Sequence, residues 1–178
     1  MTHHKLALLG FGSVGQALAR LLLTKRAELG DHYGITFSVT GIATGNHGTA
    51  INPSGIDLAE ALTRMDEDAS LDMLSVTPPP SDSFDFIRTC EADVLFENTP
   101  VDYTTGQPAV DHLRLALEKS MHAITANKGP VVHAYRELSA LAESQGRKFF
   151  FESTVMDGAP IFSLFRTALP GVRLRAFK

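Results

Sequence analysis

Three short stretches hold residue types that could do chemistry. "GFGSVG", residues 10–15, spaces its glycines as G-x-G-x-x-G; "FENTP", residues 96–100, closes an apolar run with polar groups; "TANKGP", residues 125–130, sets Lys128 just past another apolar run. The first pattern suits a pyrophosphate. Gly10 permits a tight turn, Gly12 lets backbone approach the anion, and Gly15 lets a following helix pack closely on a preceding strand. Phe11, Ser13 and Val14 complete that loop, and the helix amino terminus offers free N–H groups to the phosphates. In its context after an apolar run, the hexamer points to a dinucleotide. Asn98, Thr99 and Pro100 then fall near the nicotinamide end, with a plain Asn-Thr-Pro turn as the alternative. Glu97 is either a buried acid or a partner for a nearby backbone N–H. Lysine has a reference pKa of about 10.4, so Lys128 carries protons near neutrality only if burial or another cation lowers that value. Otherwise it stays charged and holds a carboxylate or polarises a carbonyl. Asn127 stands beside it.

These residues need a scaffold. Residues 5–10, "KLALLG", read as a buried parallel strand. Residues 13–29 follow at helical spacing, with Val14, Leu18, Leu21 and Leu22 on one face and Gly30 as the stop. Residues 35–44 read as the second strand, so the first two strands are parallel with a helical crossover. A loop spans "GNHGTAINPSG". Asp57 caps a short helix through Met65, and Ser81 or Ser83 starts another towards Cys90. Further strands are expected in "DVLFENTP", "MHAITAN" and "RKFFFES". Helices are expected over "TTGQPAVDHLRLALEKS", residues 131–145 and residues 157–169. "VRLRAFK" alternates like a strand opening a new sheet. His3 and His4 read as a disordered end. The rhythm implies an α/β doubly wound parallel sheet of Rossmann type, with "GFGSVG", "ATGN", "ENTP", "TANK" and "ESTV" along one edge.

A NAD site usually closes its second strand with an acid for the ribose hydroxyls. Here Ala43, Thr44, Gly45, Asn46 and His47 stand there, with no carboxylate and no arginine. A 2′-phosphate would meet no repulsion and could take bonds from Thr44, Asn46 or His47, which favours NADP over NAD. A solvated loop histidine is the plainer reading of His47.

Bulk properties narrow the class. A chain of 178 residues, 44% apolar and 20% charged, can bury a core as one domain. A net charge of −4 without a basic cluster argues against nucleic acid. The single cysteine, Cys90, allows neither an intrachain disulfide nor a thiolate metal site. No signal peptide or membrane-spanning run is evident, so the expected location is cytoplasmic with no membrane partner. Asp157 and Pro160 read as helix-capping residues, and Glu152, after three phenylalanines, needs a partner if buried.

With these motifs in hand, the chain resembles the amino-terminal cofactor domain of homoserine dehydrogenases. The likeness rests on "GFGSVGQALARLL", "FENTP", "TTGQPAVDHLRLALEKSMHAITANKGPVV" and "FFFESTVMDGAPIFSLFR". It implies interconversion of homoserine and aspartate 4-semialdehyde with NAD or NADP. It also implies a catalytic Lys128 beside the nicotinamide, and Thr99 and Pro100 lining that ring. Glu152, Val155, Asp157 and Ala159 match a loop whose backbone oxygens hold a monovalent cation, sodium, although Asp157 departs from the usual small residue. Members of the family continue into a substrate and dimerisation domain. The chain is therefore expected to comprise a dinucleotide-binding domain over residues 1–155 and the start of a connection over 156–178. It should bind cofactor with little turnover and be monomeric, whereas the full-length enzyme is a homo-oligomer. Two other readings stand: an aspartate-type dehydrogenase of similar layout, and a non-catalytic nucleotide-sensing module.

Overall fold

The computed structural model describes residues 1–156 and 159–173. Strand β1 (Thr2–Leu9) leads into helix α1 (Ser13–Tyr33), then β2 (Ile35–Ala43) and β3 (Thr49–Ile51). Helix α2 (Leu58–Asp66), a 3₁₀ turn (Leu71–Leu74) and α3 (Ser83–Thr89) precede β4 (Val94–Glu97). Then come α4 (Ala109–Glu118), β5 (His122–Thr125), α5 (Lys128–Ser144) and β6 (Phe149–Phe150). The sheet order is β3-β2-β1-β4-β5-β6, so the chain starts in the middle and winds outward both ways. All neighbouring pairs are parallel except β2 with β3. The order reverses between β1 and β4, where ligands of such sheets bind beyond the strand ends. This is the α/β doubly wound sheet that the sequence implies.

Alternation of the sheet residues feeds two cores. Leu6 and Leu8 face α1 and α2, meeting Phe11, Ala19, Leu58, Ala61 and Leu62. Ala7 and Leu9 face α3 and α4, meeting Phe86, Ile87, Leu95 and Ala116. Each large side chain so buried contributes roughly 1.5–3 kcal/mol. A third cluster, with Leu113, Leu138 and Phe149, packs α4 and α5 on the far half of the sheet.

Several elements depart from the sequence reading. His3 and His4 lie within β1, and His3 bonds Thr36 Oγ1 at 2.9 Å and Ser38 Oγ at 3.1 Å. Helix α1 runs through Gly30 and stops at Gly34, whose φ of 64° is the left-handed cap that glycine accepts readily. The loop after β2 hides β3, too short to show periodicity and antiparallel to its neighbour. Helix α5 begins at Lys128, not residue 131. Glycine and proline both disfavour a helix interior, yet Gly129 and Pro130 stand in the first turn, which needs no N–H from proline. After Phe150 the chain forms a 3₁₀ turn (Glu152–Thr154), a short helix α6 (Ile161–Ser163) and a π turn (Leu164–Ala168) in place of a longer helix. The expected start of that helix at Asp157, and residues 174–178 of the expected final strand, lie outside the described residues.

Candidate dinucleotide site at the sheet edge

Each glycine of "GFGSVG" has its own steric reason. Gly10 has φ 93°, and a Cβ there would lie 2.4 Å from Asn98 O, so only glycine lets β1 leave the sheet past β4. The turn is pinned by Gly10 N–H to Ala43 O at 2.9 Å and Asn98 N–H to Leu9 O at 2.7 Å. A Cβ on Gly15 would lie 2.4 Å from Gly10 O, so Gly15 sets how closely α1 packs on the turn. A Cβ on Gly12 would meet nothing within 4 Å, because it faces open space. Gly12 is the N-cap of α1, without side-chain capping, and the first turn holds no acid. The leading N–H groups of a 21-residue helix therefore stay available to an anion.

A cleft of about 390 Å³ lies over this turn, lined by Gly10–Val14, Thr44–His47, Met65 and Asn98–Pro100. Asn98 Nδ2 is buried with no partner among the described residues, a donor waiting for an acceptor. The Phe11 side chain, 1% exposed, belongs to the core, so only its backbone is offered to a ligand. Ala43 is also buried; it serves the cleft by holding Gly10.

The loop after β2 is already committed. Thr44 Oγ1 donates to Gly48 O at 2.9 Å and accepts from His47 N at 2.7 Å. His47 Nε2 lies 2.7 Å from Asp68 Oδ1. The strand end lacks a carboxylate in sequence, but the fold brings one to it from 21 residues away. His47 is thus a partnered side chain rather than a freely solvated one.

At the neighbouring strand ends, Glu97 is fully buried and its carboxylate accepts from Thr99 N at 2.8 Å, from Thr99 Oγ1, and from Thr125 Oγ1 at 2.7 Å. Burial pushes its carboxyl up, and these hydrogen bonds oppose the shift. Both sequence readings of Glu97 therefore hold together: it is buried, and it takes a backbone N–H. Asn127 caps α5 by accepting from Gly129 N at 3.0 Å, and its Nδ2 donates to Thr99 O at 3.2 Å. Lys128 follows as the first residue of α5; it is exposed, with no carboxylate in salt-bridge reach among the described residues. Gly129 lets the 102–106 loop approach, since a Cβ there would lie 2.8 Å from Gly106 Cα.

A second cavity, also about 390 Å³, lies on the α3 and α4 side and shares Gly10, Thr44, Gly45, Thr99 and Pro100 with the first. His112 lines it, buried, with Nε2 2.7 Å from Ser83 Oγ. Burial pushes the imidazole down to about 4, against the pull of Asp111 and Asp82. Ser83 reads in the sequence only as a possible helix start, and His112 carries no mark there, because a histidine on a helix gives no local sign of its burial.

Glu152 finds its partner in Ser163, whose N–H and Oγ donate to the carboxylate at 3.0 and 2.8 Å. These bonds, the backbone one foremost, lower its pKa. Val155 is exposed, and Ala159 O accepts from Ile161 N at 2.8 Å. Asp157 lies outside the described residues. Among the described residues no group of three His, Cys, Asp or Glu side chains could hold a metal ion, and no helix is long and apolar enough to cross a membrane.

The glycine turn, the bare helix terminus and the polar exits of β4 and β5 share one edge, as in a nucleotide-dependent dehydrogenase. Residues 10–152 match the family model described as "Homoserine dehydrogenase, NAD binding domain". The chain belongs to that family. It is 35% identical over 181 aligned residues to an NAD(+)-dependent homoserine dehydrogenase of Pseudomonas canavaninivorans, covering 100% of this chain and 51% of that protein. It is 33% identical to the homoserine dehydrogenase of Methanocaldococcus jannaschii, covering 92% of this chain and 48% of that one. A hyperthermophilic archaeal homoserine dehydrogenase mutant solved with NADPH superposes with a TM-score of 0.79 at 27% identity, over 96% of this chain and 50% of that chain. The chain thus spans about half the length of the relatives it matches. The Rossmann-type fold and a nicotinamide dinucleotide cofactor are those of the family.

Proposed function

We propose that this chain supplies the cofactor-binding half of a homoserine dehydrogenase, which interconverts L-homoserine and L-aspartate 4-semialdehyde. The observation that carries the reading is the open, acid-free amino terminus of α1 behind a glycine turn that tolerates no Cβ at Gly10 or Gly15. Ser13, Val14 and Gly15 offer their N–H groups to the pyrophosphate, and Asn98 Nδ2 offers a further donor. The nicotinamide, when bound, accepts or returns a hydride. Thr99 and Pro100 wall that end of the cleft, and the Asn127 cap holds them beside Lys128. Oxidising a primary alcohol to an aldehyde removes a hydride from carbon and a proton from oxygen. Lys128 acts at that oxygen, stabilising its negative charge and handling its proton.

The substrate side is assigned to polypeptide beyond the dinucleotide-binding domain, with the boundary near residue 156. The carbonyls of Glu152, Val155, Asp157 and Ala159 are proposed to hold sodium; the bonds from Ser163 hold the side chain of Glu152 in place. The test is turnover by a chain fused to the second half of a relative. We expect NAD(P)-dependent oxidation of homoserine but not of aspartate, with Lys128→Ala lowering kcat by roughly 10²-fold or more. Oxidation of aspartate instead, or an unchanged kcat in the Lys128 variant, contradicts the reading.

A further inference from the structure

We infer that Glu97 is a positioning residue of the nicotinamide end, acting through a closed ring of hydrogen bonds that locks the exits of β4 and β5 together. The inference rests on the dinucleotide reading above and extends it to two residues, Glu97 and Thr125, that contact no proposed ligand.

The ring can be followed atom by atom. Thr99 N–H and Oγ–H donate to Glu97 Oε1, the backbone bond at 2.8 Å. Asn127 Nδ2 donates to Thr99 O at 3.2 Å. Asn127 N–H donates to Thr125 Oγ1 at 2.9 Å, and Thr125 Oγ1 donates to Glu97 Oε2 at 2.7 Å, which closes the circuit. Three of its four members are nearly sealed from water: Glu97 is 0%, Thr125 1% and Asn127 5% exposed. Among the described residues no cation pairs with the carboxylate; three donors satisfy it instead. A buried carboxylate is a costly way to join two strands that already pair along their length. What it adds lies beyond the paired residues. It draws Thr99 back against the end of β4, and through Thr125 it fixes Asn127, whose side chain starts α5 at Lys128. Thr99, Pro100 and Lys128 therefore hold one arrangement before any ligand arrives, as a site that orients a reacting ring requires.

The test separates the two halves of the ligand. Affinities of the chain are measured for NADH against ADP-ribose, and for NADPH against 2′-phospho-ADP-ribose, the second of each pair lacking nicotinamide. Glu97→Ala leaves three donors without an acceptor. Thr125→Val breaks the ring while keeping the carboxylate, and so covers the case in which Glu97→Ala does not fold. We expect both folded variants to lose about tenfold in affinity for the intact dinucleotides, the scale of a lost charge-assisted hydrogen bond. The nicotinamide-free ligands should bind within about twofold of the unsubstituted chain, within the small coupling expected of separate sites. Glu97→Gln keeps an acceptor for Thr99 and should recover most of the loss. Equal losses for both ligand types would reduce Glu97 to a structural residue and overturn the inference. So would unchanged binding of all four ligands by the folded variants. Failure of the unsubstituted chain to bind any of them would overturn the dinucleotide reading itself, and the inference with it.

Discussion

Substituting alanine at Gly12 and at Gly15 should separate binding from folding within one hexapeptide. At Gly15 the new Cβ would sit 2.4 Å from Gly10 O, about 1 Å inside ordinary van der Waals contact. Neither partner can turn away, because the oxygen is backbone and Gly10 is held by Ala43 O. Helix α1 must shift off the turn, and overpacking of this kind costs roughly 1–3 kcal/mol. For a chain of this size that corresponds to a fall in Tm of about 2–12 °C. At Gly12 the Cβ meets no atom within 4 Å, and φ is −77°, which alanine accepts. A poorer N-cap and a less flexible unfolded chain act in opposite directions, leaving stability within about 0.5 kcal/mol. The same methyl group, however, stands where a pyrophosphate would approach the backbone. We expect Gly12→Ala to weaken NADPH or NADH binding by about tenfold or more, equivalent to ~1.4 kcal/mol. Thermal melts and fluorescence titration of reduced cofactor read the two effects. A stable Gly12→Ala chain that binds dinucleotide as tightly as the unsubstituted one would refute the cradle, since no ligand could then lie against that backbone.

Two further outcomes follow from the site's charges. His112 is pushed down from 6.5 to about 4 by burial, so the unfolded chain takes up more protons than the folded one between those values. Its contribution is present above pH 6.5 and is lost as pH falls towards 4, with an upper bound on the order of 3 kcal/mol. Melts across that range should fall less steeply for His112→Asn; equal slopes would contradict the assignment. Asp68 brings a carboxylate to His47, at the strand end proposed to take the ribose. Asp68→Asn should therefore raise affinity for NADPH relative to NADH by a few-fold, the modest size expected of an exposed charge. An unchanged ratio in paired titrations would remove Asp68 from cofactor choice.

The first strand, the glycine turn and the helix after it are legible in the sequence, because each glycine answers a local demand and the apolar spacing switches from strand to helix. The edge shared by "GFGSVG", "ENTP" and "TANK" follows from the strand–helix rhythm alone. Lys128 was harder to place. Gly129-Pro130 looks like a break, and only the Asn127 side chain accepting Gly129 N–H reveals a helix start. Partnerships between distant residues left no local trace. His47 with Asp68 and Ser83 with His112 are pairs that only the fold creates. The same holds for Glu97 with Thr125, 28 residues apart. Strand β3 escaped for a different reason: three residues cannot display a period.

The most direct test of a nicotinamide dinucleotide at this sheet edge is a calorimetric titration of the chain with NADPH and with NADH. We expect saturable binding at one site per chain for at least one of them, competed by the corresponding nicotinamide-free ligand. No saturable heat from either dinucleotide up to about 1 mM, where binding would be worth only ~4 kcal/mol, would contradict the account.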